Sequence, residues 1–173
     1  LTFSQDSAWL AITTLPTRRD AQANTRARRP NQSGVLIVNL ATGEKTTVPK
    51  IQRYAFAGEA GGWIAMHRYG PDAAGAAAPA AAAAGGRGGR GGGADGAAAD
   101  APRSTAPRGT DLILRDLKTG TELNIGNVSV WSFNKSGRYL ALTIDAADQA
   151  GNGLQLRDMQ TGAISSLETD KTF

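Results

Sequence analysis

Few residues in this chain have the types and the spacing that catalysis requires. His67 is the only histidine, and it lies beside Met66 and Arg68 in a strand-like run, without the serine and acid that would activate a nucleophile. The chain has no cysteine, which excludes thiolate chemistry and cysteine-based metal sites. The nucleophile-elbow pattern Gly-x-Ser-x-Gly is also absent from all 173 residues. We therefore predict no catalytic, cofactor-binding or metal-binding residues in this chain, and we expect His67 to be structural.

Two aspartates could be mistaken for a catalytic pair. Asp116 and Asp158 occupy near-equivalent places, each just before a Thr-Gly turn. A carboxylate in that position usually accepts hydrogen bonds from the backbone N–H groups of the turn. We therefore interpret both as turn formers, because their recurrence reflects a repeat and not two carboxylates brought together for acid–base work.

Two arginine-rich segments raise the hypothesis of nucleic-acid binding. Residues 17–31 hold five arginines against one aspartate, a local charge of +4 that equals the net charge of the whole chain. Arg87 and Arg90 stand in a glycine run similar to RNA-binding Arg-Gly-Gly segments, but no aromatic residue accompanies them, and Asp95 and Asp100 offset their charge. We expect both segments to be flexible, solvated loops, and we do not expect nucleic acid to be a partner.

Two short patterns alternate along the chain, and each occurs three times. One is an apolar alternation that ends in a Thr-Gly turn, and the other is an aromatic residue, a polar turn and a second aromatic followed by aliphatic residues. The first pattern covers Leu36 to Gly43, Leu112 to Gly120 and Leu154 to Gly162, and the second covers Phe3 to Ala11, Phe56 to Ala65 and Phe133 to Ala141.

The spacing of the repeats locates two inserts. Gly120 and Gly162 are 42 residues apart, which matches the roughly 40–45 residues of a propeller blade. Gly43 and Gly120 are 77 residues apart, and the excess falls on residues 70–109, of which 31 are Ala, Gly or Pro. The first repeat is lengthened by the Arg-rich residues 17–31. Both inserts therefore occupy the same loop of the repeat, and we expect the longer one to be disordered.

The last repeat predicts a sheet of four antiparallel strands over residues 128–133, 139–144, 154–159 and 163–167. One such sheet cannot bury both faces, so neighbouring sheets must cover it. We predict an all-β fold, a partial β-propeller of about three four-stranded antiparallel blades within residues 1–173. The repeated aromatics are expected to pack between blades, namely Phe3, Trp9, Phe56, Trp63, Phe133 and Tyr139.

The segments Leu112 to Gly120 and Phe133 to Ala141 resemble the repeat shared by TolB-like propellers and the propellers of prolyl-oligopeptidase-family serine peptidases. The order of Gly61-Gly-Trp-Ile-Ala, a low-complexity insert and a strand after Gly109 is similar to the N-terminal propeller of large bacterial members of that family. The resemblance implies an α/β-hydrolase domain after Phe173 that cleaves peptide substrates, a propeller that restricts access to it, and a periplasmic or secreted location.

A non-enzymatic TolB-like or WD-like propeller that binds a protein partner remains the alternative. The chain begins without Met and inside a strand-like motif, so we expect a fragment of a longer protein. No window approaches the roughly 18 apolar residues of a membrane helix, which predicts that no membrane span is present.

Overall fold

The computed structural model of the chain describes residues 1–59, 61–70, 109–146 and 151–168. The predicted disorder of the Ala/Gly-rich insert concerns residues that lie almost wholly outside these ranges. The described ranges contain the helix α1 Arg18–Arg26 and the strands β1 Thr2–Phe3, β2 Trp9–Thr14, β3 Gly34–Asn39, β4 Lys45–Val48, β5 Ile51–Phe56, β6 Trp63–Arg68, β7 Thr110–Asp116, β8 Glu122–Phe133, β9 Tyr139–Ile144, β10 Gly153–Asp158 and β11 Ile164–Glu168.

The strands form two sheets in which every neighbouring pair is antiparallel. The first sheet has the order β1-β2-β3-β4, and the second runs from β5 to β11 in sequence order. Strand β8 belongs to two units, because residues 122–125 pair with β7 and residues 130–133 pair with β9. Asn127, with φ of 58°, lies where β8 passes from one partner to the other. The seven-stranded sheet is therefore two four-stranded sheets that share one bent strand.

Three four-stranded units follow from this topology. Blade 1 is β1 to β4, blade 2 is β5 to the first part of β8, and blade 3 is the second part of β8 to β11. The predicted all-β fold, a partial propeller of four-stranded antiparallel blades, is confirmed. The sheets do not close on themselves.

The apolar core lies between the blades. Each of two clusters combines side chains from two successive blades, as stacking of half-apolar sheets requires. The buried members of the first are Ala11, Val35, Ile37, Val48, Ile51, Ile64, Met66, Ile113 and Leu117. Those of the second are Ala65, Leu112, Leu114, Val128, Trp131, Leu140, Leu142 and Met159.

The expected packing of the repeated aromatics between blades holds for four of the six. Trp9 and Phe56 pack against the first cluster, and Trp63 and Phe133 against the second. Phe3 is 54% exposed, since no sheet of the described residues lies beside that face of blade 1, and its packing between blades stays a prediction. Tyr139 is outside both clusters and has the Arg138 guanidinium 5.2 Å from its ring centroid.

The Arg-rich segment is not the loop that the sequence predicts. Residues 18–26 form α1, and the Thr17 side chain accepts a hydrogen bond from the Asp20 backbone N–H at 3.2 Å. A threonine cap and an acidic residue in the first turn both stabilise a helix start, while Arg26 in the last turn suits its negative end. None of the helix residues is buried, so the expected solvation of the segment holds although the expected lack of structure does not.

The blades have two distinct ends. The tight turns between β1 and β2, β3 and β4, and their counterparts in the other blades lie at one end, the turn face. The connections from β2 to β3, β6 to β7 and β9 to β10 lie at the opposite end, the insert face, with the blade-to-blade passages. Both inserts thus leave from the same face and the same loop position, as the spacing predicts. Among the described residues, no helix is long and apolar enough to cross a membrane.

Candidate functional site

The three Thr-Gly turns of the turn face have the same geometry. In each, one side-chain oxygen before the turn accepts two backbone N–H groups, and the turn glycine has φ between 73° and 76°. The acceptor distances are 2.9 and 3.2 Å for Asn39, 2.7 and 3.2 Å for Asp116, and 2.8 and 3.2 Å for Asp158. Backbone hydrogen bonding by Asp116 and Asp158 is what the sequence predicts.

Asp158 is also paired with a cation. The backbone N–H of Gln160 is the main cause that lowers the pKa of Asp158, and the Arg138 guanidinium at 3.3 Å lowers it further. A carboxyl group that is ionised at neutral pH cannot donate a proton as a general acid there. Asp158 therefore stabilises the turn through its two backbone hydrogen bonds. Its negative charge also holds the Arg138 guanidinium in position.

A crevice of about 520 Å³ opens between blades 2 and 3 on the turn face. Trp63 and the buried Met159 give it apolar surface, while Lys118 and Arg138 supply positive charge. Such a combination can bind a group that has an apolar part and an acidic part. Its lining residues are Gly62, Trp63, Asp116, Lys118, Gly137, Arg138, Met159 and Gln160.

The turns around this crevice interlock. The Glu59 N–H donates to the Lys135 carbonyl at 3.1 Å, which joins the first turn of blade 2 to the first turn of blade 3. A Cβ on Gly58 would collide with the same Lys135 carbonyl, and one on Gly137 would lie 2.9 Å from the Ala57 carbonyl carbon. The two turns at the rim are therefore joined by close backbone contacts, and the Lys135 ammonium lies 4.0 Å from the Glu59 carboxylate across the same joint.

A second cavity, of about 450 Å³, lies on the insert face of blade 1 beneath α1. Asp20, Asn24 and Arg29 of the Arg-rich insert form one wall. The other wall comes from the ends of the blade 1 strands and the passage to blade 2, at Thr14, Gly34, Thr47, Pro49 and Lys50. The insert therefore builds a concave surface on the face from which both inserts leave.

His67 is buried at the joint of blades 2 and 3. Its Nε2 lies 2.8 Å from the Val128 carbonyl oxygen and 2.8 Å from the Thr110 hydroxyl. The Thr110 hydroxyl donates to the Arg68 carbonyl at 2.8 Å, and the Val128 carbonyl can only accept, so Nε2 carries the ring proton. Burial lowers the pKa of His67, which keeps the ring neutral. In this position the histidine ties the end of β6 to β7 and to blade 3.

Arg53 forms a cross-blade contact that the sequence does not reveal. Its guanidinium lies 4.7 Å from the ring centroid of the buried Trp131 and donates to the Trp131 carbonyl at 3.3 Å.

The charged residues of the crevice are not predicted by the sequence either. Arg138 precedes Tyr139 where the other two repeats have Ala8 and Gly62, and this departure from the repeat was the one available signal.

Within the ranges that the structure describes, no three His, Asp or Glu side chains are grouped so as to hold a metal ion. The prediction that the chain has no site residues stays a prediction.

No protein-family model and no curated protein sequence matches the chain. Among solved structures, the chain is similar to the β-propeller domain of the Trilobed protease from Pyrococcus furiosus, with a TM-score of 0.46 and 12% identity over 92% of this chain and 38% of that one. It is also similar to the acylaminoacyl peptidase of Pyrococcus horikoshii, with a TM-score of 0.46 and 12% identity over 93% of this chain and 23% of that one. The chain thus spans well under half the length of either protein.

Proposed function

We propose that residues 1–173 are a non-catalytic propeller segment of a serine peptidase, and that the propeller restricts the access of substrates to an α/β-hydrolase domain elsewhere in the same chain. Hydrolysis would be acyl transfer by a serine, histidine and aspartate of that domain. Short peptides would reach this site, and folded proteins would not. The proposal rests on the sequence resemblance of the blade repeat together with the asymmetry of the two faces.

The observation that carries the gating role is the placement of the longest connections. The connections after Thr14, Arg68 and Ile144 all leave from the insert face, whereas the connections of the turn face are tight turns. Helix α1 lies on that same face and forms one wall of the cavity there. In the peptidases that this sequence resembles, propeller loops can face the catalytic domain or the substrate entrance. We therefore assign the contact with the hydrolase domain to the insert face.

The gating role can be tested in the full-length protein by removing α1. Residues 16–32 would be replaced by Asn-Gly, because Thr14 and Gly34 are paired and a short turn can join them. We expect kcat/KM for a long unstructured polypeptide to rise several-fold relative to that for a short chromogenic proline-containing peptide. Hydrolysis of the short peptide should be nearly unchanged, since its entry is not limited by the insert.

A matched control uses the opposite face. Lys118→Ala removes an exposed cation from the turn face and should leave the ratio of the two kcat/KM values unchanged. An unchanged ratio after removal of α1 would refute gating by this insert. Absence of serine-hydrolase labelling of the full-length protein by a fluorophosphonate would refute the peptidase assignment itself.

The crevice between blades 2 and 3 favours a second candidate function, the binding of a protein partner by a non-enzymatic propeller. Its apolar floor at Trp63 and Met159 and its cations Lys118 and Arg138 fit a peptide segment that has an apolar and an acidic residue. The variant Lys118→Ala/Arg138→Ala should weaken capture of such a partner without affecting peptide hydrolysis. This second function would be refuted by partner binding that is insensitive to both substitutions.

A further inference from the structure

Helix α1 and the residues that follow it are rich in exposed arginine. Within residues 17–31 the arginines are Arg18, Arg19, Arg26, Arg28 and Arg29, and Asp20 is the one acid. In the part of the chain that the structure describes, none of these five arginine side chains forms an ion pair. On the turn face, by contrast, Arg115, Lys135 and Arg138 each have an acidic partner within 4.0 Å.

Two of the five arginines lie where positive charge destabilises the helix. Arg18 and Arg19 are in the first turn of α1, where the free N–H groups give the helix end a partial positive charge. Asp20 supplies the acidic residue that this end favours, and its carboxylate also accepts the Thr17 hydroxyl at 2.7 Å. The stability of α1 therefore gives no reason for arginine at either position.

Arg28 occupies a position that favours glycine. The Arg29 N–H donates to the Asn24 carbonyl at 2.8 Å, and the Arg28 N–H donates to the Thr25 carbonyl at 3.2 Å, which is the Schellman arrangement at a helix end. Arg28 has φ of 54°, in the left-handed region where glycine is the usual residue because it has no Cβ. Three of the five arginines thus stand at positions that helix stability disfavours.

The arginines within α1 point away from the blade. Ala21 and Asn24, three positions apart, form the half-buried side of the helix, and Asn24 lines the cavity beneath it. Arg19 and Arg26 are seven positions apart and lie together on the opposite side, about 10 Å from each other along the axis. Residues 17–31 have no aromatic residue and no Val, Ile, Leu or Met. This outer surface of α1, here called the cationic face, is therefore charged and lacks large apolar side chains.

We propose that the cationic face binds an acidic, unfolded segment of another polypeptide through arginine–carboxylate pairs. A guanidinium group can donate two parallel hydrogen bonds to one carboxylate, which makes arginine well suited to this pairing. An extended chain advances about 10 Å in three residues, so acidic residues at that spacing can reach Arg19 and Arg26 together.

The composition of the cationic face argues against three other partners. The core of a stable interface between folded domains is depleted of charge and enriched in aromatic residues, so α1 does not fit the centre of a fixed contact with another domain. A helix that lies on a membrane needs large apolar side chains on one face. Single-stranded nucleic acid is bound largely by stacking on aromatic residues. The inference concerns binding alone, so it goes beyond the proposed peptidase function and does not depend on it.

The test measures binding of a rhodamine-labelled Glu-Gly-Glu-Glu-Gly-Glu peptide by fluorescence anisotropy. It uses the full-length protein after treatment with a fluorophosphonate, so that a peptidase site would not cleave the peptide. At about 50 mM NaCl, where screening is weak, we expect this peptide to bind roughly tenfold more tightly than its Gln-Gly-Gln-Gln-Gly-Gln counterpart.

The double variant Arg18→Gln/Arg19→Gln separates binding from stability. It should lower the affinity for the acidic peptide about fivefold, because two arginine–carboxylate pairs are lost. Its melting temperature should equal or exceed that of the parent protein, since the substitutions remove positive charge from the positive end of α1.

A matched control removes the same charge from the turn face. Lys45→Gln/Lys135→Gln changes two exposed lysines there and should alter the affinity less than about twofold. Equal affinities for the two peptides, equal losses in the two double variants, or a loss of affinity that accompanies a lower melting temperature would each overturn the proposal. Tighter binding of a single-stranded RNA hexamer or of phosphatidylserine vesicles to the same arginines would overturn it too, by assigning the cationic face to nucleic acid or to a membrane.

Discussion

Lys50 and Asn127 have the same backbone conformation at the two passages from one blade to the next. Their φ angles are 60° and 58°, and each residue directly precedes the first strand of the following blade. The Lys50 carbonyl accepts the Tyr69 N–H at 3.2 Å, and the Asn127 carbonyl accepts the equivalent N–H of Asp145 at 2.8 Å. The left-handed conformation is thus part of the repeat, although neither position is glycine.

The first prediction concerns this left-handed position. Asn127→Val places a β-branched residue at positive φ, where Asn is tolerated, and should lower the free energy of unfolding by about 1–2 kcal/mol. Asn127→Gly is the matched control and should be as stable as the parent chain or more so. Both values can be measured by urea unfolding. Equal stability of the valine and glycine variants would mean that the bend of β8 does not depend on this conformation.

Gly109 provides a second test of the same joint. A Cβ at this position would collide with the carbonyl group of Asn127, so Gly109→Ala should destabilise the protein by about 1–3 kcal/mol. Gly70→Ala is the control, because its Cβ would meet only the Thr110 methyl group at an ordinary 3.4 Å. The free energy of unfolding in urea should be much lower for Gly109→Ala than for Gly70→Ala. The reverse order would contradict the close approach of Gly109 to the Asn127 carbonyl group.

The pH dependence of stability should report on His67. Burial lowers the pKa of His67 below its ordinary 6.5, so between the two values the unfolded chain binds more protons than the folded one. Stability from this group is therefore complete above about pH 6.5 and declines as the pH falls toward the folded-state pKa. Asp6 and Asp158 contribute at lower pH, because their pKa values are lowered from 3.8.

The measurement compares the free energy of unfolding at about pH 5 and about pH 8, on either side of the ordinary histidine pKa. His67→Gln cannot titrate, and its amide can still donate to the Val128 carbonyl, so the variant should lose most of the decline. A decline of equal size in parent and variant would assign the pH dependence to other groups.

Arg53 should stabilise the contact between blades 2 and 3. Its stacking on Trp131 and its hydrogen bond to the Trp131 carbonyl are together worth about 1 kcal/mol at an exposed site, so Arg53→Ala should lose roughly that amount. Gln52→Ala, at the exposed neighbouring position, is the control and should change stability by less than about 0.5 kcal/mol. Similar losses in the two variants would mean that the cross-blade contact contributes nothing specific.

Much of the fold could be predicted because each blade repeats the same local chemistry. The Asx turns at Asp116 and Asp158 depend on residues two and three positions away, and the alternation around Leu112 and Leu154 fixes which side chains face a neighbouring blade. The period also placed both inserts in one loop. These features depend on short-range sequence, which a single chain displays directly.

Other features depend on contacts that a repeat does not encode. Arg53 meets Trp131 across 78 positions of sequence, and neither residue type recurs at the equivalent place in the other blades. The crevice exists because Arg138, Lys118 and Met159 come from different turns. The spacing of Thr17 and Asp20 is that of a helix cap and indicates α1, whereas the density of arginine in residues 17–31 favours a solvated loop, so the sequence alone supports both.

Residues 1–173 build propeller blades, and we predict that they hold no active site of their own. The most direct measurement incubates purified, folded residues 1–173 with a chromogenic proline-containing peptide and, separately, with a fluorophosphonate probe. We expect hydrolysis no faster than the buffer blank and no labelled serine. Clear turnover that co-purifies with the folded chain, or covalent labelling of any serine within it, would show that this segment holds an active site.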